Sequence, residues 1–513
     1  MFVIRWAALA LLPTLISGCG DSASAQGDIP ASRVNQAVGQ LDAVVADVMQ
    51  RSGVPGMAVA VVHGDTVLYS RGFGVKRLGE PAPVQPETVF QLASVSKPIG
   101  ATVVTAQIEK GVVSWQTPVQ QHLPWFELND PATSAAVTIG DMYAHRSGLP
   151  DHAGDELEEI GHDRRSALQR LRHLPLEPLR STHAYTNFGL TAGAEAVAEA
   201  SGASWEDLSE AVLYRPLGMS ATSSRFADFM ARADRAHPHV LQNGAFEPAT
   251  RQRQPDAQSP AGGVSSNVVD MARWMALVLN DGRHNGAQLL SRTALAHALS
   301  PQAVSSPATD EHPAGHYGYG FNISTTHAGG TRYSHSGAFT LGAATNFALL
   351  PAAKTGIIVL TNAQPVGAAE AITSTYLDLV EFGRPTRDWF DTYAPAFAAM
   401  NAPTGRAVGL PYPDAPEPAR PLHAYAGSFQ SDYLGDARIE PSGSDLVLTI
   451  GPAGNTHVLH HWNGDTFVFE LGGEVAPPGS RSAVDFTIGP GGMATGMTIE
   501  LYDEYGQGTL TRR

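Results

Sequence analysis

Strand patterns stand at both ends of the stretch 34–381, with helical patterns between them, and this order limits the folds open to the chain. Near the start, the apolar run Gly56–Val62, the turn His63-Gly64-Asp65 and the run Thr66–Ser70 predict a β-hairpin. A short strand is predicted at Thr88–Phe90, just before Ser94, and strand patterns return near Tyr317–Ile323, then at Gly342–Leu350 and Ile357–Thr361. Helical spacing marks Val34–Met49, Ser94–Lys110, Arg164–His173, Leu190–Ala200, Val269–Asn280 and Ala368–Glu381. One sheet built from the two ends of a domain, flanked by helices and carrying an inserted helical subdomain, is the α+β arrangement this order predicts.

At 513 residues the chain exceeds what one core usually supports. A second texture begins after Pro411, Pro413, Pro416, Pro418 and Pro421, which predict a stiff linker. Beyond it, short alternating runs such as Leu446–Ile450 and Thr466–Phe469 are separated by Gly and Pro turns and predict a small all-β, barrel-like domain. The expected division is a leader and tether over 1–25, a main domain over 32–400, a linker over 401–421 and an accessory domain over 422–513. The net charge of -16, with no basic cluster, argues against a nucleic-acid partner.

The leader carries Arg5, then an apolar stretch Trp6–Ile16 too short for a comfortable membrane span. It ends at Ile16-Ser17-Gly18-Cys19, which resembles a bacterial lipobox. This predicts an exported, periplasmic protein held to a bacterial membrane by a lipid on Cys19, the sole cysteine. A plain secretory signal cut after Ala23-Ser24-Ala25 is the alternative.

The chemistry centres on Ser94-Val95-Ser96-Lys97 at the head of a helix. A serine and a lysine three apart share a helix face, so a neutral lysine could take the serine's proton during attack on a carbonyl. Such a lysine must titrate well below ~10.4. Together with Tyr185-Thr186-Asn187 and His335-Ser336-Gly337, in this order and at these separations, the chain resembles the penicillin-recognising serine hydrolases. That family includes class C β-lactamases, D,D-peptidases, D-aminopeptidases and esterases. The resemblance spans about Leu41 to Gly383 and includes Ala144–Pro150, Pro216–Met219 and Pro260–Ser266.

This resemblance implies Ser94 as nucleophile, Lys97 as base or tuner of the base, and Tyr185 as proton relay beside the Lys97 cation. It implies Asn187 as a ligand for the acyl side of the substrate. His335, Ser336 and Gly337 would lie on a strand beside Ser94, and the N–H groups of Ser94 and Ala338 would form the oxyanion hole. Ser96 is the rival nucleophile, expected to point away from Lys97.

Lys354-Thr355-Gly356 also matches the family's third motif, but it follows Pro351 between two predicted strands, so Lys354 is expected on a solvated turn. Histidine at 335 would be mostly neutral at pH 7, which weakens the case for a substrate ending in a carboxylate. His145 and His152 are expected near the site as loop residues. His237-Pro238-His239 and His460-His461 lack companions at ligand spacing, so no metal is expected, and no cofactor.

The C-terminal runs Tyr425–Phe429, Asp432–Gly435 and His461–Phe467 resemble the lipocalin-like domain appended to many such hydrolases. This implies a role in assembly or access, without catalysis. The leading function is hydrolysis of amide (peptide) or ester bonds in a peptide or small-molecule substrate. The alternatives are β-lactamase or D,D-carboxypeptidase activity, or a slowly deacylating penicillin-binding sensor.

Overall fold

A computed structural model of the chain describes residues 29–310 and 313–513; the leader, including Cys19, lies outside them. Eight strands form one sheet in the order Thr66–Gly74, Gly56–His63, Thr355–Thr361, Ala343–Leu350, Thr331–Phe339, Asn322–Thr325, Gly315–Tyr317, Ala303–Ser306. The strand Gly56–His63 joins the two ends of the domain: Val59 pairs with Arg71 on one side and with Val359 on the other.

Alternation along that strand separates two cores. Met57, Val59 and Val61 pack with the helices Ala31–Val38, Leu41–Ser52 and Ala368–Phe382. Ala58, Ala60 and Val62 face the helical subdomain, with Ser96–Glu109 and Val268–Leu279 beneath the sheet. Residues 96–107 are buried without a break, so this helix has no solvated face and runs through the middle of the domain.

The structure divides some elements that the spacing predicted as single. The first helix breaks at Gly39 into two. Tyr317–Ile323 is the meeting of two strands, with Gly320 at φ 78° in the turn between them. Ser94 sits in a 3-10 turn, Ala93–Val95, ahead of the α-helix that starts at Ser96.

Residues 427–512 form a closed eight-stranded antiparallel barrel. Its strands follow chain order, and Phe429 pairs with Arg512 to close the ring. Phe429, Leu448, Leu459, Phe467, Val484 and Leu510 are buried within it. The Pro-rich segment before the barrel is not a free spacer. Thr404 accepts from the Arg481 N–H at 2.9 Å, and Glu417 O accepts from the Gly464 N–H at 2.8 Å. The barrel also bonds to the helical subdomain, for example Ala453 N–H to Ile160 O at 3.1 Å and Tyr505 Oη to Asp151 O at 2.8 Å.

Candidate active site

The 3-10 turn at Ala93–Val95 is held where the sheet meets the central helix. Ala93 occupies the left-handed region at φ 47°, a conformation that costs an alanine of order 1 kcal/mol and that turns Ser94 outward from the buried helix. The strand Thr331–Phe339 lies directly against this turn. A Cβ on Gly337 would come within 2.2 Å of Leu92 O and 3.0 Å of Ser94 N, so only glycine permits the approach. Asn322–Thr325 pairs with Thr331–Ser334 alone, which leaves the edge of the same strand open from His335 onward, where Ala338 faces the cavity.

Ser94 Oγ lies 3.0 Å from Lys97 Nζ and accepts from Tyr185 Oη at 2.7 Å. Lys97 is fully buried. Its Nζ also lies 2.6 Å from Asn187 Oδ1 and 2.9 Å from Ala261 O. Desolvation, partly opposed by the nearby Asp155, brings Lys97 down to about 7. A neutral amine has two hydrogens and one lone pair. Both carbonyl oxygens can only accept, so they take the two hydrogens and leave the lone pair for the Ser94 hydroxyl.

Burial pushes Tyr185 well above the usual tyrosine range, so it is protonated and donates to Ser94. The sequence expectation put a lysine cation beside this tyrosine. The geometry has the two groups close, with Nζ 4.5 Å from the ring centroid, but burial favours the neutral form of each.

Ser96 is excluded as nucleophile by its bonds. Its Oγ is buried, donates to Ala93 O at 2.6 Å and accepts from Val264 N–H at 3.0 Å. His335 is buried and held neutral, pulled down to about 3 by desolvation and then by Lys97. Its Nδ1 donates to Ser336 O at 2.6 Å, and its Nε2 accepts from Tyr317 Oη at 2.9 Å. Ser336 Oγ accepts from Asn346 Nδ2 at 2.8 Å. Lys354 stands exposed at φ 46° in the turn between Ala343–Leu350 and Thr355–Thr361, two strands away from His335's own.

A cavity of about 510 Å³ opens over Ser94, and Tyr185, Asn187, His335, Ser336 and Ala338 line it. His152 and Asp155 line it too, as do Ser305 and His316 from the two outermost strands at one edge of the sheet. The barrel supplies part of its wall through Glu474, Tyr502, Glu504 and Tyr505. Glu474 accepts from the N–H groups of Thr340 and Leu341, at 3.2 and 3.1 Å, just beyond the strand that carries His335. Neither Asp155 nor Glu474 belonged to any motif. Asp155 lies in an acidic run that could equally be a solvated turn, and the barrel wall requires knowing how two domains dock. Among the described residues, no cluster of three or more His, Cys, Asp or Glu could hold a metal, and no helix is long and apolar enough to cross a membrane.

Comparison with known proteins decides the family. The Beta-lactamase family model matches residues 41–381. This chain belongs to the β-lactamase and penicillin-binding-protein family. A second model, for a domain of unknown function (DUF3471), matches residues 412–510.

An unguisins hydrolase, ungD, of Aspergillus violaceofuscus is 25% identical over 92% of this chain and 89% of its own length. Penicillin-binding protein 4 of Amycolatopsis lactamdurans is 31% identical over 49% of this chain and 66% of its own. The solved octameric penicillin-binding protein homologue from Pyrococcus abyssi shares the fold, with a TM-score of 0.59 and 19% identity over 93% of this chain and 100% of that one. Family members are serine hydrolases with the β-lactamase fold, and this chain carries that fold with the barrel appended.

Proposed function

We propose that this β-lactamase-family protein is an exported serine hydrolase that cleaves amide bonds, foremost in peptides, or ester bonds through an acyl-enzyme on Ser94. The observation that carries this reading is the placement of Ser94 Oγ between the lone pair of Lys97 and the hydroxyl of Tyr185. Lys97 takes the Ser94 proton as Oγ attacks the carbonyl carbon. The N–H groups of Ser94 and Ala338 receive the oxyanion; such donors are worth ~3 kcal/mol each where one has been deleted. Tyr185 then gives its proton to the leaving amine or alcohol and is reprotonated from the Lys97 ammonium. Water enters by the reverse route, and the acid leaves. Export, with a lipid on Cys19, is the reading of the leader.

His335 offers no permanent cation for a terminal carboxylate beside Ser94, and of the three arginines that line the cavity two are paired with carboxylates, while Arg332 donates to the neutral Ser324 hydroxyl at 3.0 Å. Arg253 pairs with Glu158, and Arg481 with Glu470. This supports peptide or ester substrates over substrates anchored by an acidic end. The name of the Aspergillus relative, an unguisins hydrolase, agrees with hydrolytic turnover.

Intact-mass spectrometry tests the reading. Mixed with a fluorophosphonate, the protein should gain one adduct that Ser94→Ala abolishes. With an activated ester the adduct should form and clear. A penicillin adduct that persists, with no turnover of esters or peptides, would replace the hydrolase by a sensor. Labelling that survives Ser94→Ala would remove Ser94 from the mechanism.

A further inference from the structure

Behind the nucleophile, a chain of hydrogen bonds leads away from Lys97 toward the loop 151–160. Asn187 Oδ1 lies 2.6 Å from Lys97 Nζ, and Asn187 Nδ2 donates to Asp155 Oδ2 at 2.8 Å. The same Asp155 oxygen lies 2.8 Å from His152 Nδ1, which donates to it. The helix Asn187–Ser201 and the loop before Asp155–Glu159 hold the two ends of this chain, and the Tyr185 carbonyl ties them together by accepting from the His152 N–H at 2.7 Å.

The amide of Asn187 has two orientations, and only one leaves Lys97 able to act. A carboxylate accepts and cannot donate, so Asp155 demands the amide's N–H₂. The carbonyl must then face Lys97 and receive one of its hydrogens. Were the amide turned over, its N–H₂ would take the lysine's lone pair, and nothing would be left for Ser94. We infer that Asp155, held by His152, is a positioning residue that orients Asn187 and so aims the Lys97 lone pair at Ser94.

Charge adds a second effect. The groups around Lys97 are Tyr185, His145, His335, Asp155 and His152. Burial favours the uncharged forms of Tyr185, His145 and His335. Asp155 favours the lysine's ammonium. His152 is drawn down by burial, but its bond to Asp155 more than compensates and leaves it above the usual histidine value. Where it carries its proton, His152 opposes the charge of Asp155 as seen from Lys97.

This inference rests on the proposed role of Lys97, and its test separates the two. Acylation by a fluorophosphonate is followed from pH ~5.5 to ~9.5 in wild type, Asp155→Asn and His152→Ala. Asp155→Asn removes the charge and the constraint on the amide. Its acid limb should move to lower pH by roughly half a unit or more, and its plateau should fall at least ~10-fold. His152→Ala leaves the carboxylate uncompensated, so its limb should move the other way, to higher pH. Should Asp155→Asn fail to fold by circular dichroism, the His152→Ala displacement carries the test. Limbs that coincide with wild type, while labelling still requires Ser94, would overturn the positioning role alone. Labelling that is independent of Ser94 would overturn the catalytic reading.

Discussion

Replacing Lys97 with methionine keeps most of the side-chain volume and removes the amine, and the structure sets how the effect on stability should vary with pH. Lys97 titrates near its usual 10.5 when unfolded and at about 7 when folded. Between those values the unfolded chain holds a proton that the folded one has released, so stability rises with pH across that window. Below it the cost of burying the amine is fully present. A shift of this size corresponds to about 5 kcal/mol at one pKa unit per 1.36 kcal/mol. Methionine removes this cost but leaves Asn187 Oδ1 and Ala261 O without their donor, at about 1–2 kcal/mol each.

Near pH ~6.5 the variant should therefore be more stable than wild type by roughly 1–3 kcal/mol. By pH ~9.5 about 3 kcal/mol of that difference should have gone, and Lys97→Met should be the less stable protein. Urea unfolding of both proteins at the two pH values, followed by tryptophan fluorescence, measures this reversal. A stability difference that is the same at both values would mean that folding does not deprotonate Lys97, and the argument for it as a neutral base would fall.

Gly337→Val should cost at least ~100-fold in kcat/KM while the barrel stays folded, because its side chain must displace the Ser94 turn; near-normal kinetics with an activated ester would show that the strand is not held where the geometry puts it. His335→Ala should lower kcat/KM by ~10-fold or more, equivalent to ~1.4 kcal/mol of transition-state stabilisation, and Tyr317 Oη would lose its acceptor. Lys354→Ala, exposed on its turn, should change neither activity nor stability by more than ~0.5 kcal/mol; an inactive Lys354→Ala beside an active His335→Ala would reverse the assignment of the third motif. Cys19→Ala should abolish metabolic lipid labelling of the expressed protein, and a native N-terminus at Gln26 would replace the lipid anchor by a soluble exported form.

How much of this was legible in the sequence depends on the range of the interaction involved. The hairpin Gly56–Gly74 is carried by an apolar run and a tight turn, the barrel strands by period-two alternation within a few residues, and the resemblance of three short motifs was enough to group Ser94, Lys97, Tyr185 and His335. The break at Gly39 was hidden because apolar spacing continues across it, from Val34 and Ala37 to Leu41 and Val45. The protonation states were hidden for a different reason. Whether Lys97 is a cation or an amine depends on how completely it is buried, and a motif contains no information about depth.

Asp155 shows the limit most clearly. In the run Asp155-Glu156-Leu157-Glu158-Glu159 four carboxylates stand close together, and local spacing gives no reason to prefer one over another. The fold sorts them by partner. Glu156 meets Tyr433 of the barrel, Glu158 meets Arg253, Glu159 meets Arg251, and Asp155 alone turns to Asn187. Burial raises both Glu156 and Glu158 to about 7, so a run that looks like a solvated acidic turn is in fact desolvated between two domains. The barrel therefore bears on the site without touching Ser94. It packs against the segment 151–160 and fixes Glu156, while Asp155 and His152 stay partly exposed on the cavity wall, so the contact between Asp155 and Lys97 is made beside the barrel rather than beneath it.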